Sequence, residues 1–161
     1  MTDNTYLRTG WIFLAAILDV WNRRAVGWGC GATLHASLVR AALHAALKNR
    51  QPAKGLLHHS DGGSQFVGAD YLALLAAAAI ERSMSRSRNC YDNAAMESFW
   101  STLKIDTGLD ESIPASRRHA ELAVFDTSRR STTRRGATPR SVLFPLVAFE
   151  KQQQQNDIKA A

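Results

Sequence analysis

The sequence predicts an α/β fold, a mixed β-sheet with helices on both of its faces. Two observations predict it. Extended, apolar or glycine-patterned stretches fill the first thirty residues, and helical periodicity then alternates with short extended runs up to about residue 107. The 161 residues suffice for one domain with a sizeable core and are too few for two comfortable ones. A hydrophobic fraction of 45% with 21% charged residues excludes global disorder.

The elements follow in order. Asn4 to Arg8 is a short extended run, closed by a Thr9-Gly10 turn. Trp11 to Val20 (WIFLAAILDV) is nearly all apolar, as expected of a strand covered on both faces. After an Asn22-Arg23 turn, Arg24 to Gly31 (RAVGWGCG) places Gly27, Gly29 and Gly31 on one strand face, which reads as a flat face closely approached by a neighbour. Thr33 is the expected N-cap of a helix carrying Leu34, Leu38, Ala41, Ala42, Ala45 and Ala46, and Pro52 and Gly55 end it. Leu56 to His59 is a short buried strand running into Ser60-Asp61-Gly62-Gly63. A second helix covers about Val67 to Ala79, Ile80 to Met84 is a strand, and a helix runs from Tyr91 or Asp92 to about Thr107. A further helix is expected at about Ala115 to Phe125, then a basic linker from Asp126 to Pro139, and a polar tail containing Gln152 to Gln155.

Charge and cysteine usage narrow the function classes. Twenty Lys and Arg against fourteen Asp and Glu give +6, which favours an anionic partner, nucleic acid before membrane. The excess is local: Arg117 to Arg140 holds seven arginines against Glu121 and Asp126, a net +5. The longest apolar run, Tyr71 to Ile80, is ten residues, where a membrane span needs about 20. The first residues lack the basic start and apolar stretch of a secretory signal. Cys30 and Cys90 stand alone, so small thiols are preferred over a disulfide, zinc has no ligand pattern, and a reducing cytosol fits.

Three acidic residues are candidates for chemistry. Asp61 follows a buried strand and precedes two glycines, a place where a carboxylate faces a ligand, although turn aspartates share that pattern. Glu97 lies on the third helix, where Met96, Phe99, Trp100 and Leu103 form the apolar stripe and Asn93, Glu97 and Lys104 a polar stripe along its edge. Such a stripe is ordinarily a solvated helix side. Asp3 starts the first strand and, taken alone, reads as a surface residue. Three carboxylates on strand, strand and helix suit magnesium, which takes hard oxygen ligands and completes its shell with substrate phosphate. Two such ions about 3.5–4 Å apart serve phosphodiester chemistry. Spacing by itself leaves the alternative of surface carboxylates open.

The motifs themselves resemble a family. His58-His59-Ser60-Asp61-Gly62-Gly63-Ser64-Gln65-Phe66 is similar to the H-S-D-x-G-S-Q-[YF] segment of bacterial insertion-sequence transposases with a retroviral-integrase-type catalytic core. Asn89 to Lys104 (NCYDNAAMESFWSTLK) resembles their N-x-x-D-N-A-x-x-E-S-F-[FW]-x-x-L-K helix, and thirty-five residues separate Asp61 from Glu97, the family's interval. Thr2-Asp3-Asn4-Thr5-Tyr6 resembles the strand of the first aspartate, and Leu18 to Trp28 the L-D-x-x-[SN]-R-x-[IV]-G-W segment.

The resemblance implies an RNase H-like fold with a mixed five-stranded sheet flanked by helices. It makes Asp3, Asp61 and Glu97 the carboxylate triad that holds two Mg²⁺ (or Mn²⁺) ions. The implied reactions are nicking at element ends and attack of a DNA 3′-OH on a target phosphodiester. Lys104 matches the family's basic residue after the glutamate, a phosphate contact, and Asn93 fits a position that orients DNA or a ligand. Arg129, Arg130, Arg134 and Arg135 are the basic-segment candidates for DNA contact. The expected organisation is a catalytic core at 1–110, a basic extension packing on it at 111–150, and a polar tail at 151–161. The implied partners are element-end and target DNA and a further copy of the chain, in the cytoplasm at the nucleoid.

Two departures from the family pattern stand out. The chain starts two residues before Asp3, so it reads as N-terminally truncated, without the upstream helix-turn-helix region. Asp126 to Gly136 (DTSRRSTTRRG) lacks the aromatic, His and Leu positions of Y-N-x-x-R-x-H-S-x-L-G, although Thr138-Pro139 fits. Other readings are therefore an inactive remnant that only binds DNA or oligomerises, and an RNase H-like nuclease that only hydrolyses. The four tryptophans, at 11, 21, 28 and 100, mostly fall in apolar runs and are expected to pack in the core. Of the adjacent pair His58 and His59, one is expected to face the core and the other the site.

Overall fold

The computed structural model describes residues 1–7, 12–21, 24–86, 90–108, 116, 118–120 and 122–124. Arg129, Arg130, Arg134 and Arg135, the basic linker and the polar tail lie outside the described residues, as does Trp11.

Five strands form one sheet: β1 (Thr2–Tyr6), β2 (Phe13–Asp19), β3 (Arg24–Gly31), β4 (Leu57–Ser60) and β5 (Glu81–Met84), in the order β3-β2-β1-β4-β5. The first three pair antiparallel, while β4 runs parallel to β1 and β5 parallel to β4. The helices are α1 (Ala36–Arg50), α2 (Ala69–Ala77) and α3 (Ala94–Thr107), with 3-10 turns at Ser64–Phe66 and Cys90–Asn93. Among these helices none is long and apolar enough to cross a membrane.

The continuous apolar run of β2 is explained by burial on both sides. Leu14, Ala16 and Leu18 pack with Met96, Phe99, Trp100 and Leu103 of α3, while Ala15 and Ile17 pack with α1 and α2. Ala120 and Val124, in the short helical stretches at 118–120 and 122–124, join the α3 cluster. On β3 the glycine face is where α1 lies. A Cβ on Gly27 would stand 2.2 Å from the Ala42 carbonyl oxygen, and one on Gly29 would stand 3.0 Å from that of Leu38. Only glycine lets the helix backbone come this close to the strand.

Two element starts and one tryptophan differ notably from the sequence reading. β1 begins at Thr2 rather than Asn4, because its pairing with β2 runs from Thr2↔Ile17 to Tyr6↔Phe13. Helix α1 starts at Ala36 with His35, not Thr33, at the N-cap and with no side-chain cap bond. Packing of Leu38 against the β3 glycines sets that start and overrides Thr33's capping preference. Finally, Trp21 is 84% exposed just past the end of β2, whereas Trp100 is core and Trp28 packs at its edge.

Candidate active site

The topology brings Asp3 and Asp61 together. β1 and β4 pair in parallel at Thr2↔Ser60, and each aspartate is the residue that follows. Thr2 and Ser60 point into the α1–α2 side and are buried, so alternation turns Asp3 and Asp61 toward the α3 side. Asp61 closes β4 with a small turn, accepting a hydrogen bond from the Gly63 N–H at 2.9 Å on Oδ1.

Asp3 is only 8% exposed. Its Oδ1 accepts from the Asn4 N–H at 2.7 Å and its Oδ2 from the Asn93 side-chain N–H at 2.9 Å. Burial pushes its pKa up, the two hydrogen bonds oppose that, and the charge of Asp61 adds a further push upward. Among the described residues the buried Trp100 indole N–H has no hydrogen bond of ordinary geometry, yet it lies close enough to steady the Asp3 charge. Thus two carboxylates face each other across neighbouring strands, and one of them is largely shielded from water.

Glu97 stands one turn beyond Asn93 on α3 and is exposed. Among the described residues no three of His, Cys, Asp and Glu gather closely enough to hold a metal ion. The structure therefore brings together two of the three predicted acids, and the third, Glu97, is exposed on α3. The chemistry of the pair fits a hard divalent cation: both donors are carboxylate oxygens, and their mutual repulsion is relieved by a positive charge between them.

The basic candidate Lys104 is partly buried near the C-terminal end of α3, its Nζ 5.6 Å from the centroid of the Tyr6 ring. Asn93 turns its donor to Asp3.

Around the site, the contacts of Gln65 and Arg86 escaped the sequence reading, whereas the division of His58 and His59 between core and site was expected from it. Gln65 donates to the Asn4 side-chain oxygen at 2.9 Å, tying the turn after Asp61 to β1 beside Asp3. His59, on the same face as Asp61, bridges the Ser83 and Ser85 hydroxyls at 2.8 and 3.0 Å and so fixes the end of β5. Arg86 then clamps Asp92 through Nε and Nη2, holding that carboxyl down at about 2 just ahead of Asn93. His58 is the core-facing member of its pair, hydrogen-bonded to the Tyr71 hydroxyl at 2.9 Å. The S-Q and D-N dipeptides carried the signal for Gln65 and Asn93. The serine partners of His59 had none.

Residues 1–90 match the Integrase core domain family, a stretch that holds Asp3 and Asp61 but not Glu97. The chain is 39% identical over 145 residues to the insertion element IS600 uncharacterized 31 kDa protein of Shigella sonnei, covering 84% of this chain and 53% of that protein. It is 42% identical over 106 residues to transposase InsF for insertion sequence IS3A of Escherichia coli K12, covering 65% and 37%. The chain thus spans about half or less of the length of these relatives. Among solved structures, the catalytic core domain of BIV integrase superposes with a TM-score of 0.66 at 14% identity, over 99% of this chain and 96% of that one. A simian T-cell lymphotropic virus intasome, solved in complex with PP2A regulatory subunit B56 gamma, gives 0.64 at 11% identity, over 89% and 52%. These likenesses identify the fold as that of retroviral integrase catalytic cores, which is RNase H-like.

Proposed function

Since the chain belongs to the integrase core domain family, with insertion-sequence transposases among its relatives, we propose that it is the catalytic core of a DNA transposase that cleaves element ends and joins them to target DNA. The observation that carries this reading is the Asp3–Asp61 pair on adjacent parallel strands, one acid raised in pKa first by its burial and further by the charge of the other. Asp3 and Asp61, together with Glu97 of α3, would hold Mg²⁺ or Mn²⁺. Bound there, the metal supplies Lewis-acid activation of the attacking oxygen and charge stabilisation at the leaving one.

The chain's own residues do the rest. Asn4 and Gln65 brace the Asp61 turn against β1, so the two acids keep their spacing. Lys104, one face with Glu97 and two turns on, meets a DNA phosphate. The arginines at 129, 130, 134 and 135 add further phosphate contacts, and residues 111–150 form the extension that holds DNA against a core at 1–110. The partners are DNA and further copies of this chain, in the cytoplasm at the nucleoid.

A second reading, a chain that binds DNA without joining it, is favoured by the exposure of Glu97 and the absence of a three-acid cluster among the described residues. The deciding experiment is Mg²⁺-dependent joining of a labelled 3′-OH end to plasmid DNA. The transposase reading expects joining by wild type and none by Asp61→Asn. Equal joining by both, or salt-dependent DNA retention without any joining, sinks it.

A further inference from the structure

We infer that Asn93 is a positioning residue, its carboxamide spent on fixing the Asp3 carboxylate in the orientation that receives a divalent cation; the inference rests on the function proposed above. Three observations lead there. Asn93 occupies the N-cap of α3, where an asparagine ordinarily turns its side chain onto the helix's own free N–H groups, yet it makes no such bond. It reaches instead ninety residues back along the chain and donates to Asp3 Oδ2 at 2.9 Å. Among the described residues its carbonyl oxygen Oδ1 is buried with no partner, a cost that calls for an explanation.

The orientation of the carboxamide follows from chemistry. A carboxylate only accepts hydrogen bonds, so the amide nitrogen must be the atom facing Asp3. That contact takes up one lone pair of Oδ2, and Asn4 takes up one of Oδ1. With both oxygens anchored from the protein side, the carboxylate has a defined plane, and its remaining lone pairs are left for a cation. Outer partners of this kind set the orientation of a metal-binding group and its affinity. The helix is fitted for the task from both sides of Asn93. Asp92, the preceding residue, is clamped by Arg86. Trp100 lies seven positions on, two turns along the same helix face, with its N–H toward Asp3. Because Glu97 sits on the turn between Asn93 and Trp100, the same contact that orients Asp3 sets how far Glu97 stands from it.

The test is Mn²⁺ binding to the 161-residue chain without DNA, read by electron paramagnetic resonance, for wild type, Asp61→Asn, Asn93→Ala, Asn93→Leu and Asn93→His. Thermal stability is measured on the same samples. The expected result is that Asp61→Asn loses binding and that Asn93→Ala weakens it about tenfold. Asn93→His, which returns an N–H donor at the same reach, should recover to within about threefold. If Asn93→Ala does not fold, Asn93→Leu fills the same volume without a donor and is read in its place. Wild-type Mn²⁺ affinity in a folded Asn93→Ala or Asn93→Leu, with Asp61→Asn impaired, overturns the role of Asn93 alone. Undiminished binding by Asp61→Asn overturns the metal-site reading itself.

Discussion

His58 on β4 and Tyr71 on α2 share a buried hydrogen bond of 2.9 Å on the side of the sheet opposite the site, three residues before Asp61. The ring of Tyr71 packs edge-on to Phe66 at 5.8 Å and tilted against His58 at 5.9 Å. Burial pulls the His58 pKa down from 6.5 to about 4, and positive charge at the chain's amino terminus and at His59 pushes the same way.

The consequence for stability has a definite sign. In the unfolded chain His58 takes up a proton near pH 6.5, whereas the folded chain resists until about pH 4. Its neutral form therefore supports folding fully above about 6.5, and that support drains away as pH falls toward 4. The loss approaches roughly 3 kcal/mol over the window. Urea unfolding at pH 7.5, 5.5 and 4.5 measures it, and His58→Phe should flatten the slope in that window. Tyr71→Phe keeps the ring contact but orphans His58 Nε2, at a cost of about 1–3 kcal/mol. A His58→Phe variant with the wild-type slope would show that other groups govern the acid limb.

Gly27 controls how close α1 sits to the sheet. A methyl group there would overlap the Ala42 carbonyl oxygen at 2.2 Å and the Ala46 nitrogen at 2.5 Å, both backbone atoms that cannot swing aside. Gly27→Ala should cost about 3 kcal/mol or more by pushing the helix off β3. Gly31→Ala meets the end of the Leu38 side chain and the Thr33 carbonyl oxygen, each at 3.3 Å, and should cost less, about 1 kcal/mol. Denaturant midpoints for the two variants test this, and equal stabilities would falsify the close-approach account of the glycine face.

Under the proposed function, the Asp3–Asp61 pair trades stability for metal binding. Without a cation, the charge of Asp61 adds to the cost of burying the Asp3 carboxylate, so Asp61→Asn should leave the chain as stable as wild type or up to about 1 kcal/mol more so in EDTA. The amide oxygen of the variant still accepts from Gly63, which keeps the turn. In millimolar Mn²⁺ the order should reverse, because only wild type gains from binding. Thermal unfolding with and without Mn²⁺ reads both halves, and a wild type indifferent to the ion contradicts the second.

Local chemistry made much of this legible from sequence, and long-range contacts did not. The G-x-G-x-G alternation announced a closely approached face because a period of two is a property of one strand, and the all-apolar β2 announced burial on both sides for the same reason. Asp61 stood out as a carboxylate between a buried run and two glycines. By contrast, Asp3 was marked only by the family motif, since nothing local separates it from a surface residue before β1 meets β4. The Asn93–Asp3 contact spans ninety positions and the His59 bridges to Ser83 and Ser85 span more than twenty. Such pairings depend on register and on the docking angle of α3, which hydrophobic periodicity does not encode. Thr33 misled for a related reason: a good capping residue lost to the packing of Leu38.

Lys104 poised over Tyr6 offers a last test, one that separates DNA contact from scaffold. The ring is 64% exposed and the ammonium lies 5.6 Å from its centroid, an arrangement worth less than about 1 kcal/mol to the fold at so open a site. Removing the charge should thus be almost silent in stability. For DNA the expectation differs, because each phosphate contact releases counterions and steepens the salt dependence of binding. Lys104→Gln should weaken retention of duplex DNA across sequences and lower the slope of log affinity against log salt by about one. Tyr6→Phe keeps the aromatic face and should behave as wild type, while Tyr6→Ala frees the lysine and should fall between the two. Retention measured from 50 to 200 mM salt decides the matter: an unchanged slope in Lys104→Gln removes Lys104 from the DNA-binding surface and leaves it a surface partner of Tyr6.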